Sequence, residues 1–450
     1  MDFANNKTTR QQNNKKTKQQ KTTETMLDIR TLSTGKNGMK MTKAESVFLE
    51  LLQIALGNRS RLSEPCSDEE WEEVYSTVKK QAMVGITFYA VKLLPAEQMA
   101  PKRRKYQWAL KVLEIEERNK KICYECQIVT NIFAEAGFNS CVLKGQSNLF
   151  FYPAAMRMMR QPGDIDLWVF RKDSDNNQKA FRKREIIDFI WKRMKKKTEV
   201  NLHHTDFDLF PKTLVEVHFV PSFAVNPFTN RKYYRWFEAH KQSVSSTPAN
   251  INILDIDFCI VFQMMHIYRH LLLEGIGFRQ LTDLYFSILF REKREKMKQS
   301  SAYSKETIFS HLCYLGMERI TRAVMWILHN VLGMEEKHLI CEPSEKYGME
   351  MLGEMMRGGN FGQHFKDDDN DKSDASENKN ETKESKDNED KSKAINGEKS
   401  QKSDEITKFA EFIEACRHGF RLIMSYPSEV LWIPYLYIKA SIVRNYWRRQ

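Results

Sequence analysis

Two aspartates, Asp164 and Asp166, stand one residue apart at the start of an apolar run that ends at Phe170. A short apolar run with aromatic and β-branched residues predicts a buried strand. Residues i and i+2 of a strand point to the same face, so the two carboxylates would stand about 6–7 Å apart. Buried acids without partners repel each other and are costly to desolvate. A fold that buries this strand must therefore neutralise both acids.

A hard divalent cation would neutralise them. Mg²⁺ takes one or two carboxylates and fills its remaining positions with water and substrate phosphates. Mg²⁺, or Mn²⁺ in its place, is thus the predicted cofactor. The alternative is a surface strand with one solvated face, and the apolar residues Ile165, Leu167 and Trp168 argue against it.

The sequence pattern differs between this strand region and the rest of the chain. It has 450 residues, 41% of them hydrophobic, which is enough for two or three domains. The predicted fold class is α+β, a small mixed β-sheet core flanked by N- and C-terminal helical segments. The predicted divisions are a disordered basic tail (1–42), an N-terminal helical region (43–136), the sheet core (137–250), a helical domain (251–365), a disordered low-complexity insertion (366–405) and C-terminal helices (406–450).

Charge and cysteine content exclude several classes of protein. The net charge is +12, but residues 1–43 carry +7 and residues 366–405 carry −5, so the body is less basic than a dedicated nucleic-acid binder. Eight cysteines in a chain of this length predict reduced thiols, and the Cys123–Cys126 pair lies in a helical pattern without a second such pair. A polar N-terminus and the lack of an 18-residue apolar run predict a cytoplasmic protein with no membrane span and no obligate protein partner.

A candidate phosphate site precedes the two aspartates. The stretch "NSCVLKG" predicts a strand that ends at Gly145, where backbone N–H groups could approach a phosphate. Lys144 could touch a triphosphate as a point charge, and Arg160 could do the same from the following loop. The predicted nucleotide-binding residues are therefore Lys144, Gly145, Ser147 and Arg160, although each cation could instead be a surface residue.

A third acid stands on a later strand. Glu216 alternates with apolar residues in "LVEVHF", which pairs with "HHTDFDLF" as a predicted β-hairpin. Beside the first two acids, Glu216 would complete a three-carboxylate arrangement suited to in-line phosphoryl chemistry. His218 shares the face of Glu216 and could line the same site.

The order of these motifs resembles that of the polymerase-β-like nucleotidyltransferase superfamily. The stretch "VLKGQSNLFFYPAAMRMMRQPGDIDLWV" is similar to the bacterial "uncharacterised nucleotidyltransferase" family, as are "VEVHF" and "HIYRHLLLEGIGFRQLTDLY". The resemblance implies that Asp164 and Asp166 are metal ligands and that Gly145 contacts nucleotide phosphate. It also implies that Glu216 is the third carboxylate and assists deprotonation of the attacking hydroxyl. Gln146 separates Gly145 from Ser147, whereas the superfamily usually has an adjacent Gly-Ser pair.

The predicted activity is metal-dependent transfer of a nucleoside monophosphate (NMP) group from a nucleoside triphosphate (NTP) to an acceptor hydroxyl. The acceptor could be a small molecule, a protein or a tRNA. Two alternatives stay open: a DxD glycosyltransferase that uses a nucleotide-sugar, and a non-catalytic binding module with the same fold.

Three more features belong to the helical parts. His266 and His270 are four residues apart without a third ligand at metal-site spacing, which favours a packed pair. Arg279 and Asp283 could form an ion pair on one helix, with Arg279 facing the cleft. The basic helix 182–197 is predicted to present a solvated face.

Overall fold

A computed structural model describes residues 40–171, 183–240, 244–247, 251–297, 303–360 and 412–450. Strands occupy the middle of the chain and helices dominate on both sides, which confirms the predicted α+β fold. The predicted disordered insertion at 366–405 and most of the predicted tail at 1–42 lie outside the described residues.

Local sequence signals mark the ends of several helices. Ser67 caps its helix through a capping box with Glu70, because each side chain accepts a hydrogen bond from the other residue's backbone N–H. The longest helix ends just before Gly137, whose φ of +79° is favourable for glycine. The helices are α1 Lys43–Ala55, α2 Asp68–Lys80, α3 Val84–Val91, α4 Lys102–Glu135, α5 Lys183–Met194, α6 Pro227–His240, α7 Ile256–Leu273, α8 Phe278–Lys296, α9 Lys305–Tyr314, α10 Glu318–Trp326, α11 Glu345–Gly358, α12 Pro427–Val430 and α13 Ile433–Arg449.

The described strands form one mixed sheet in the order β3-β4-β2-β1-β6-β5. They are β1 Phe138–Val142, β2 Ile165–Arg171, β3 His204–Asp206, β4 Val215–His218, β5 Val244–Ser246 and β6 Asn252–Leu254. The antiparallel pairing of β3 with β4 confirms the predicted hairpin. The antiparallel β5–β6 pair extends the sheet beyond β1 and was not predicted, because each of these strands has only three residues.

Successive side chains of β2 point alternately into two hydrophobic cores, one on each face of the sheet. Ile165, Leu167 and Val169 pack in a core with the C-terminal half of α4 and with α5. Trp168 packs in a larger core that contains the helices on the other side of the sheet. Asp166 has the same parity as Trp168, so its carboxylate faces those helices.

Helix α7 forms the centre of the larger core. It is the one described helix long and apolar enough to cross a membrane, and 89% of its apolar window is buried inside the protein. Its apolar composition is therefore accounted for by packing. His266 and His270 lie on this helix as the predicted packed pair, with ring centroids 4.2 Å apart.

The loop that leads into β2 is anchored from two sides. Asn119 on α4 donates hydrogen bonds to the carbonyl oxygens of Met158 and Arg160, each at 2.7 Å. On the other side, Gly85 of α3 packs directly on the carbonyl group of Met159, so that a β-carbon at position 85 would overlap it.

Gly85→Ala is therefore expected to destabilise the protein by about 2–3 kcal/mol, a typical overpacking cost in a tight core. Alanine favours a helix by about 1 kcal/mol over glycine, so a purely local effect would have the opposite sign. Urea unfolding measures the difference. The control is Gly163→Ala, whose β-carbon would lie at an ordinary 3.8 Å from Nη1 of Arg279. A Gly85→Ala protein as stable as wild type would contradict the close packing.

Candidate active site

The parallel pairing of β2 with β4 places Asp166 directly beside Glu216. His218, two residues further along β4, donates from Nε2 to Oδ1 of Asp166 at 3.0 Å and lies 3.3 Å from Oε2 of Glu216. The potential ligand atoms of these three residues all lie within 4.8 Å of one another. The sheet register thus brings two acids and an imidazole into one cluster, in which Asp166 and His218 are 52 residues apart in sequence.

Lys144 enters the same cluster from the end of β1. Its Nζ lies 3.1 Å from Oδ1 of Asp166, and 18% of its side chain is exposed. Gly145 follows with a φ of +64°, a left-handed conformation that favours glycine, and its backbone turns against the carbonyl of Asp164. The predicted turn after β1 therefore lies over the start of β2, where it positions Lys144.

The charges in this cluster compensate one another. Burial alone would raise the pKa of Asp166, but Lys144 and His218 lower it below its ordinary value. Burial opposes ionisation of Glu216 too, and hydrogen bonding to His218 together with the charge of His204 lowers its pKa to about 2. Burial lowers the pKa of His218, whereas its bonds to both carboxylates raise it above the usual value. Both carboxylates are therefore ionised at neutral pH.

One oxygen of this cluster has no partner. Oδ2 of Asp166 is buried and makes no hydrogen bond within the described protein. Oδ1, in contrast, accepts a hydrogen bond from His218 and pairs with Nζ of Lys144. A buried charged oxygen left without a partner is costly. This oxygen could therefore accept a bond from a bound cation or another ligand.

Asp164 lies just before β2, half-buried at the mouth of the same cleft. It is not among the residues of the described clusters whose ligand atoms lie within 4.8 Å of one another. The cleft lies between the sheet and helices α7 and α8. Its lining combines Lys144, Gly145, Asn148, Arg160, Gly163, Asp164, Asp166, Phe262, Gln263, His266, Ile267, Arg279, Gln280 and Asp283.

Arg160 borders the cleft, but its guanidinium is bound to Asp283 on α8. Nε and Nη2 of Arg160 donate to the two carboxylate oxygens at 2.6 and 2.7 Å. Asn148 and Tyr152 donate to the same carboxylate at 2.9 and 2.7 Å. Asp283, which was predicted to pair with Arg279 along the helix, thus anchors the loop before β2. Nucleotide binding by Arg160 stays a prediction.

Ser147 is buried, and its hydroxyl makes no hydrogen bond within the described protein. It precedes a short 3₁₀ turn at Asn148–Phe150. Contact between Ser147 and a phosphate therefore stays a prediction, like the phosphate contact of Gly145.

A layer of basic residues behind the acids was not identified from the sequence. Nδ1 of His204 lies 3.6 Å from Oε2 of Glu216, and Arg269 donates to Nε2 of His203 at 2.9 Å. The available signal was the hairpin itself, because antiparallel pairing sets His204 opposite His218. Arg269 comes from α7, and no local pattern indicated its position.

Comparison with known proteins agrees with this geometry. The family model described as "Uncharacterised nucleotidyltransferase" matches residues 67–333, which is more than half of the chain. The match spans the sheet, the acid cluster and both helices that line the cleft. No curated protein and no solved structure matches the chain. The protein therefore belongs to the uncharacterised nucleotidyltransferase family.

Proposed function

We propose that this protein transfers an NMP group from a metal-bound NTP to an acceptor hydroxyl. The observation that carries the proposal is the placement of Asp166 beside Glu216 on parallel strands, with one buried carboxylate oxygen unpaired. Membership of a nucleotidyltransferase family favours an NTP over the nucleotide-sugar of a DxD glycosyltransferase. Ionised acids in the cluster also favour catalysis over the alternative of a binding module.

The residues fit a divalent cation. Mg²⁺ prefers oxygen ligands, which Asp166 and Glu216 supply, and Asp164 stands at the mouth of the same cleft. The same oxygen ligands suit Mn²⁺ as well. Such an ion would neutralise charge that develops on the transferred phosphoryl group. We propose Asp164, Asp166 and Glu216 as the residues that hold it.

Three residues of the cluster have separate roles in the proposed reaction. Lys144 reaches the carboxylates from the β1 turn and places a positive charge where a triphosphate would approach. A carboxylate with a pKa of about 2 is a weak base, so Glu216 contributes mainly negative charge and orientation. His218 holds both acids in place through its two contacts.

The experiment that tests the proposal compares two labels. The protein is incubated with each NTP labelled at the α- or the γ-phosphate, with Mg²⁺ or Mn²⁺, and with sugar phosphates, aminoglycosides, tRNA or protein as acceptors. We expect the α-label to enter the acceptor and pyrophosphate to be released, because NMP transfer breaks the α–β bond.

Three results would contradict nucleotidyl transfer. Entry of the γ-label alone would indicate a kinase. Failure to bind any Mg²⁺·NTP, measured by calorimetry, would favour the non-catalytic module. A thermal shift with a UDP-sugar but with no NTP would favour the glycosyltransferase.

A further inference from the structure

Gln280, in the first turn of α8, lines the same cleft as Asp164 and Asp166. Only 6% of the residue is exposed, and neither Oε1 nor Nε2 of its amide makes a hydrogen bond within the described protein. Buried amides nearly always have partners, so a wholly unpaired one in a cleft calls for an explanation. A ligand that offers a donor and an acceptor side by side would satisfy both atoms.

Gln263 on α7 presents a second unpaired atom to the same cleft. Its Nε2 donates to Oγ of Ser287 at 2.8 Å and lies 3.3 Å from Oδ1 of Asn148, which fixes the orientation of the amide. Its Oε1 is buried and has no partner in the described part of the chain. Gln263 therefore offers a fixed acceptor in the cleft that Gln280 also lines.

Flat and apolar groups surround these amides. Phe262, His266 and Ile267 from α7 line the cleft, and the rings of Phe262 and His266 are nearly parallel, with 15° between their planes. Burial lowers the pKa of His266 well below its usual value, so this wall is uncharged at neutral pH. Such a wall suits a neutral ring better than it suits a phosphate.

This wall and the acids Asp164 and Asp166 line the same cleft. A β-carbon at Gly163 would lie 3.8 Å from Nη1 of Arg279, so the first turn of α8 lies over the start of β2. Phosphates placed at Lys144 and Asp166 would leave the nucleoside along Gln280 and the apolar wall. One cleft thus combines the charged Lys144 and Asp166 with two unpaired amide groups and an apolar wall.

We propose that the α7–α8 wall is a nucleobase subsite. In this subsite the amide of Gln280 pairs with an adjacent donor and acceptor on the edge of the base, and Oε1 of Gln263 accepts a further hydrogen bond. A glutamine amide can make two such bonds to one base edge. The inference rests on the proposed use of an NTP and assigns the residues that would bind its base.

The test separates the base from the phosphates. Calorimetry with Mg²⁺ compares inorganic triphosphate, base-free ribose 5′-triphosphate and the α,β-methylene analogues of the four NTPs. We expect wild type to bind at least one nucleotide analogue more tightly than both base-free compounds. In Gln280→Met the affinity for that analogue should fall about tenfold, as expected for two lost hydrogen bonds, and the affinity for triphosphate should not change.

Two controls accompany the Gln280→Met variant, one for its stability and one for the substitution itself. Methionine has a similar shape and no amide, so Gln280→Met should melt at or above the wild-type temperature. Gln107→Met, at an exposed position of α4, is the matched control and should bind every ligand like wild type.

Three results would overturn the subsite. These are equal wild-type affinity for base-free ribose triphosphate and the best nucleotide, equal losses of both ligands in Gln280→Met, or no loss in that variant. The wild-type comparison does not depend on the variant folding. If wild type bound neither triphosphate nor any nucleotide, the proposed function would fail and the subsite with it.

Discussion

Asp166→Asn is expected to lower nucleotidyl transfer by more than about a hundredfold, measured as the initial rate of α-label transfer. Loss of an outer partner of a metal site typically costs about 10–100-fold, and Asp166 is proposed as a ligand itself. Asparagine keeps the shape of the side chain but removes the charge that attracts the cation and that pairs with Lys144 and His218.

A second measurement separates metal binding from activity. A cation at a hundred times its Kd should stabilise the wild-type protein by about 2.7 kcal/mol, and this gain should be absent in Asp166→Asn. Thermal unfolding with Mg²⁺, Mn²⁺ or EDTA reports it. Asp188→Asn, a half-exposed aspartate on α5 that pairs with Arg184, is the control and should behave like wild type. Full transfer activity in Asp166→Asn would remove Asp166 from the site.

Arg160→Met is expected to destabilise the protein by about 3–5 kcal/mol, because it leaves the buried Asp283 carboxylate without its cation. Arg160 and Asp283 have only 6% and 5% of their side chains exposed, so water cannot replace the lost contacts. Urea unfolding measures the change. Arg61→Met breaks an exposed pair with Glu97 and should cost less than about 1 kcal/mol.

The double variant Arg160→Met/Asp283→Leu should be more stable than Arg160→Met, since replacing a whole buried pair by apolar groups is often nearly neutral. The double variant should still be less stable than the wild-type protein, because Asn148 and Tyr152 lose their hydrogen-bond acceptor. A folded Arg160 variant also tests the predicted nucleotide contact. Unchanged affinity for triphosphate would show that Arg160 acts by positioning the loop and α8.

Several features could be predicted because they depend on residues close together in the chain. The capping box of Ser67 and Glu70 forms within one helical turn, and the glycine turn after β1 depends on a single backbone conformation. The alternation around Asp166 and Glu216 indicated two strands with acids on one face. The register that sets these two acids side by side agrees with that expectation.

The two short strands β5 and β6 could not be predicted from local sequence. Three residues are too few for an alternating pattern to stand out from a loop. They join the sheet because β6 pairs with β1, a strand more than a hundred residues earlier.

By itself, the sequence determined the α+β class and the two strands that carry Asp166 and Glu216, because periodicity and residue type carry that information. Only the tertiary structure decided which partner each polar group takes. Arg160 binds Asp283 across 123 residues of sequence, and Gln280 faces the cleft with its amide unpaired. Such contacts depend on how helices pack over a sheet, and side chains distant in sequence leave no local pattern that specifies them.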